Sequence, residues 1–214
     1  SANNTIGTLT IGGGQQLTPG IGFTSHRGGV VSTTSTSGTP FATATVTIEG
    51  GALALVGGAV AQALTIPTVN YGANAAIALL QGATTSQLTA TALTRQGAFN
   101  SVNYGTLTVV PSALANLGST EKLITGTASL NTATGVGDIL TTPSIVGRAS
   151  TGADTNSLNF LRYDATNGFL LHNATTVAAL GASAATSLAD ITSSQAVANS
   201  TIDVLDVRTN SNIT

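Results

Sequence analysis

Few residues in this chain carry the chemistry of a site. Eight carboxylates, six Lys/Arg and two His are spread over 214 residues, and Cys is absent. Asp203 and Asp206 are the closest pair of acids. In a strand, positions three apart face opposite sides, so the two could neither share a metal nor work as acid and base. Glycoside cleavage usually needs two cooperating carboxylates, and residues 5–112 hold one, Glu49, beside Gly50-Gly51. His26 and His172 each lack a neighbouring His, whereas zinc takes three or four protein ligands. Ser25-His26 is adjacent in sequence only, and triads are recognised by geometry. Gly12-Gly13-Gly14 follows a strand-like run but precedes neither Lys-Ser/Thr nor a helix pattern. Gly135-Val136-Gly137-Asp138 only echoes the calcium-binding nonapeptide. Asn3, Asn173, Asn199 and Asn212 fit the Asn-x-Ser/Thr acceptor pattern, as chance allows in a chain this rich in Thr and Asn. The expectation is no catalytic, cofactor-binding or metal residue. One aromatic pair stands out, Tyr71 and Tyr104, each in an Asn-Tyr-Gly context. It reads either as two equivalent turns of a repeat or as a weak surface contact for carbohydrate or a partner, and repeats reuse turns.

The elements that would position these residues follow from composition. Charged residues are 7% of the chain, against about 25% in ordinary globular domains. With 42% apolar residues and a net charge of -2, the chain is the reverse of a disordered one. Thr is abundant throughout; it is β-branched and suits a pleated surface. Scarce Lys and Arg argue against nucleic acid, which needs clustered cations, and against an anionic membrane. No apolar run is long enough for a spanning helix. The opening residues lack a basic then apolar leader. Both ends fall in mid-pattern, so the chain is read as part of something longer.

Period-2 alternation with Gly or Pro punctuation dominates residues 5–112. In Ala42–Ile48, Ala and β-branched residues alternate with Thr43, Thr45 and Thr47. Further strands are expected at 8–11, 53–56, 63–66 (stopping at Pro67), 77–80, 88–93 and 105–112. Residues 28–39 read as a projecting loop or weak edge strand. No Asn-Gly or Asp-Gly hairpin signal occurs in this half, and Ala44, Ala90 and Ala92, read as small inward residues, suit a narrow bore. The prediction is an all-β chain, a right-handed parallel β-helix with an irregular, hairpin-containing insertion near 114–185; the alternative is an antiparallel β-sandwich. Regular solenoid is expected over 1–112, the irregular segment over 113–190, with 159–171 as a local hairpin and a weak short helix within 174–191, and solenoid strands again over 191–214.

Several phrases carry a resemblance: Leu-Thr-Ala-Thr-Ala-Leu-Thr-Arg-Gln (88–96), Gly-Thr-Leu-Thr-Val-Val-Pro (105–111), Asn-Leu-Gly-Ser-Thr-Glu-Lys (116–122), Pro-Ser-Ile-Val-Gly-Arg (143–148) and Phe-Leu-Arg-Tyr-Asp-Ala-Thr-Asn-Gly-Phe (160–169). Together they resemble bacterial surface and secreted proteins with autotransporter-associated β-strand repeats. Tyr163-Asp164 to Asn167-Gly168 is the most specific part; Arg162 stands where such proteins often have Thr. The resemblance implies export, a parallel β-helix and a passenger-like role outside the cell, with no shared catalytic residues. The expected function is an extracellular structural or adhesive solenoid module without catalysis. Its candidate partners are a glycan or cell-surface ligand and further copies stacked end to end. The alternative is a β-helix protein that binds or cleaves polysaccharide.

Overall fold

A computed structural model describes residues 8–12, 30–33, 41, 43–80, 84–97, 105–126, 144–151, 158–171, 175–176, 188–191 and 206–209. The chain forms two compact units, one of residues 1–133 and 138–171, the other of 134–137 and 172–214.

In the first unit, the first ten strands alternate between two sheets. Strands β1 (Thr8–Gly12), β3 (Thr45–Glu49), β5 (Gln62–Tyr71), β7 (Ser86–Arg95) and β9 (Glu121–Thr125) form one sheet in that order. The second sheet runs β2 (Val30–Thr33), β4 (Ala52–Val56), β6 (Ala75–Leu80), β8 (Leu107–Pro111), β10 (Ile145–Gly147), β11 (Asn159–Asp164) and β12 (Gly168–Leu171). Pairing is parallel from β1 to β10, which rules out an antiparallel sandwich for this part. The shortest returns bring Ala52 beside Val30, Thr68 beside Thr45 and Ser86 beside Gln62. Longer connections bring Glu121 beside Ser86 and Ile145 beside Leu107.

Register turns the alternation into columns of like residues. Leu64, Leu88 and Leu123 lie side by side and fully buried. On the same sheet Val46, Val69 and Leu93 form a second inward column. Leu53, Ile77 and Val109 form a third from the other sheet, and all of these belong to one core. Ala52 and Ala54 of β4 and Ala76 and Ala78 of β6 occupy the opposite face of their sheet and form a separate buried cluster with Val110. Both faces of these strands are therefore buried, and they read as apolar runs, as parallel strands commonly do.

Pro67 does not stop its strand; β5 runs through it to Tyr71. Before it, Gln62, Leu64 and Ile66 are buried; after it, Val69 and Tyr71 are. The inward phase slips by one residue. In β7 the same slip separates Ser86, Leu88 and Ala90 from Leu93. Ala44 and Ala90 are inward as expected, but the slip leaves Ala92 on the outer face, partly exposed. The slips are in register, because Ile66 pairs with Ala90 and Thr68 with Ala92, leaving Pro67 and Thr91 out of the ladder. Proline lacks the N–H that a ladder needs and is tolerated at such irregularities. The slip divides the pairing: the earlier half of β7 carries β9, and the later half of β5 carries β3.

Parallel pairing also continues beyond Pro111 into β9 and β10, so the regular part does not end at residue 112. A one-turn 3-10 helix, Leu114–Asn116, joins β8 to β9. The switch to antiparallel comes at β10–β11 and β11–β12, and β11–β12 is the hairpin expected over 159–171. In the second unit β13 (Thr175–Thr176), β14 (Leu188–Ile191) and β15 (Asp206–Thr209) form a parallel three-stranded sheet. Residues 175–176 and 188–191, within the stretch read as a weak helix, are strands; 177–187 lie outside the described residues. Residues 30–33 form the terminal strand of the second sheet.

The central place of the Leu64–Leu88–Leu123 column yields an expectation. Leu88→Ala removes the middle member from a fully buried site and should cost about 2–5 kcal/mol, read as a lower urea midpoint at unchanged slope.

Candidate functional site

A polar column runs through the core. Gln62, Ser86 and Glu121 are register neighbours on β5, β7 and β9, beside the Leu64–Leu88–Leu123 column, and all three are buried. Period 2 explains the placement: in Glu121-Lys122-Leu123-Ile124-Thr125 the inward residues are Glu121, Leu123 and Thr125. Ionised carboxylates are almost never fully buried without partners. Glu121 finds them in the preceding connection. The Ser112 backbone N–H donates to Glu121 Oε2 at 2.6 Å, and the Ser112 hydroxyl donates to Oε1. Asn116 Nδ2 donates in turn to Ser112 Oγ at 2.9 Å, and the Gly118 N–H to the Glu121 carbonyl at 2.9 Å. The carboxylate therefore holds the 112–120 connection against the sheet. Gln62 Oε1 and Ser86 Oγ are buried without a hydrogen-bond partner among the described residues.

Two outward columns of the same sheet are neutral. Thr45, Thr68 and Ala92 form one column, and Thr47, Asn70 and Thr94 the next; all are partly or fully exposed. Neighbouring strands in a sheet lie about 4.8 Å apart, so this face presents hydroxyls and one amide at a regular pitch.

The hairpin gathers further polar contacts. Asp164 Oδ1 accepts from the N–H groups of Thr166, at 3.0 Å, and Asn167, at 2.7 Å. Its carboxylate thereby shapes the turn before Gly168, which pairs with Asp164. Lys122 Nζ of β9 donates to Asn167 Oδ1 at 3.2 Å. Tyr163 Oη accepts from the Thr125 N–H at 2.9 Å and donates to the Thr125 carbonyl at 2.5 Å. Phe169 is fully buried in the core and meets the Tyr163 ring edge-on, with centroids 5.1 Å apart at 71°. The Tyr163-Asp164 to Asn167-Gly168 phrase is thus a set of contacts that seats the hairpin on β9.

The residues singled out in the sequence do not converge. Tyr71 is 4% exposed, lies in the core and has its hydroxyl 3.5 Å from Ser144 Oγ, so its ring is not available as a surface contact. Tyr104, His26, His172, Asp203 and Gly13-Gly14 lie outside the described residues, and Asp206 opens β15. Glu49 is exposed at the end of β3. Gly105, read as the start of a strand, packs so closely that a Cβ there would strike the Tyr71 carbonyl oxygen; the next residue, Thr106, donates its N–H to the Gly72 carbonyl at 3.1 Å. Among the described residues no group of three or more His, Cys, Asp or Glu could hold a metal ion, and no helix is long and apolar enough to cross a membrane.

No protein-family model, curated protein or solved structure matches this chain.

The two acids of the first sheet should respond differently. Glu121→Ala leaves the Ser112 N–H and hydroxyl without their buried acceptor and should cost about 1.5–3 kcal/mol or more. Glu49→Ala, at an exposed strand end, should fall within about 0.5 kcal/mol of the parent. Equal midpoints for the two variants in chemical denaturation would contradict the organising role of Glu121.

Proposed function

We propose that this chain is a structural or adhesive module of right-handed parallel β-helix type, belonging to a bacterial surface or secreted protein and acting without catalysis. The observation that carries this reading is the in-register return of the chain to the same sheet, from Val30 to Ala52, from Thr45 to Thr68 and from Gln62 to Ser86. Repetition of this kind makes a body whose length is set by the number of turns and whose contacts are between neighbours. The outward columns of Thr and Asn support a passive role: they offer hydrogen bonds without charge along one regular face. The low charge of the chain fits a neutral partner such as a glycan better than an ionic one. The resemblance to autotransporter-associated repeat proteins supports an extracellular place for it.

The reading is tested with purified protein in two measurements. Incubation with a panel of plant and microbial polysaccharides should release no reducing ends, while the same panel on a glycan array, or immobilised host and bacterial surfaces, should retain the protein. Release of oligosaccharide would replace the module by a polysaccharide-cleaving enzyme. Absence of retention on every surface would remove the adhesive role and leave only the structural one.

A further inference from the structure

The two ends of a parallel sheet are different surfaces, and the β9 end of the first sheet is covered by a device. An edge strand presents unpaired N–H and C=O groups, which template another strand unless they are blunted. At β9 the blunting is done by side chains. The Tyr163 hydroxyl takes both the N–H and the carbonyl of Thr125, so one side-chain group occupies donor and acceptor that a further strand would use. Gly168, with φ of +77°, sits where a Cβ would run into the Leu123 carbonyl oxygen. Phe169 of the same hairpin fills the core, and Lys122 reaches Asn167 at the turn. Antiparallel pairing of β10, β11 and β12 ends the parallel order of the second sheet at the same place.

We propose that the β11–β12 hairpin is a cap, and that the β9 edge beneath it is a self-association surface for a second copy of this chain. The partner is identified by register. Under the hairpin the edge holds the Leu123 and Thr125 positions of columns that β7 and β5 already continue, so a strand of the same chain matches its pitch and its alternation. A net charge of -2 over 214 residues offers little repulsion between copies. Because the two edges of a parallel sheet are not alike, pairing of one with the other is head-to-tail and does not close into a dimer; uncapping should give an open-ended series. The proposal rests on the module reading for its partner, but its test compares variants with the parent and does not depend on adhesion.

Gly168→Val cannot seat the hairpin tip, and Tyr163→Phe removes one hydroxyl. Leu88→Ala serves as a destabilised control with the cap intact. Each is followed by sedimentation velocity over a hundredfold concentration range and by hydrogen exchange at the Thr125 amide. The expected result is monomeric parent and Leu88→Ala protein, and in Gly168→Val faster exchange at Thr125 with a concentration-dependent series of oligomers that keeps the β-type circular dichroism. Should Gly168→Val unfold, Tyr163→Phe decides by the same two readouts. Fast exchange in a protein that stays monomeric overturns the proposal, as does unchanged protection of Thr125 in both variants. Association of the parent or of Leu88→Ala to the same extent also overturns it, and leaves the module reading standing.

Discussion

Parallel register is the constraint on which the rest of the first unit depends. Because Leu64, Leu88 and Leu123 sit side by side on successive odd strands, each inward residue is packed chiefly by its equivalents on the strands before and after. A one-residue slip would carry every Leu outward and every Thr inward. The fold needs no large aromatic core for this reason: columns of Leu, Ile and Val with Ala between them fill most of the interior, and few aromatic residues join them, among them Tyr71 and Phe169. The buried acid obeys the same rule. Glu121 is inside because its strand's phase puts it there, and the Ser112 contacts make that position tolerable.

Much of this is legible in the residues. Alternation through Ala44–Ile48 marks a strand whose inward and outward faces are as read. Where the reading fails, a local rule meets a tertiary one. Pro67 is a strand stop by propensity, yet it sits at the in-register slip, where no ladder pair exists for its missing N–H to break. The matching slip at Thr91 turns Ala92 outward against the simple alternation. Pro111 reads as the end of the regular part, but the backbone beyond it turns under the Glu121 carboxylate and rejoins the sheet as β9. Tyr71 looks like a surface ring because its context repeats; register puts it beside Ile48, on the inward side. The Tyr163–Gly168 phrase is visible only as a resemblance. Its work, a hydroxyl bonded to the backbone of β9 far earlier in the chain, is a long-range contact that local pattern does not encode. The Gln62–Ser86–Glu121 column escapes for the opposite reason: period 2 finds it only once the three strands are aligned.

The first unit also shows how polar residues divide their labour. Outside, Thr and Asn replace charge as the solvated surface. Inside, Gln62, Ser86 and Glu121 gather polarity in one column next to the connection that Glu121 organises. In the hairpin, Asp164 and Asn167 shape a turn and hold it to β9. None of these placements brings two carboxylates, or an acid and a base, to face each other.

The unequal lengths of the returns have a consequence for how such a chain can change. Partners as near in sequence as Thr45 and Thr68, or as far apart as Leu107 and Ile145, pair in the same parallel manner, so the surplus is absorbed by the connections. Closing a longer flexible connection costs only about 0.6 kcal/mol per doubling of its length. Outside the 112–120 connection that Glu121 holds, insertions and deletions there are thus nearly free of the interior, while substitutions within the columns are not. Such a scaffold can acquire or shed surface decoration by lineage without rewriting the residues that fold it.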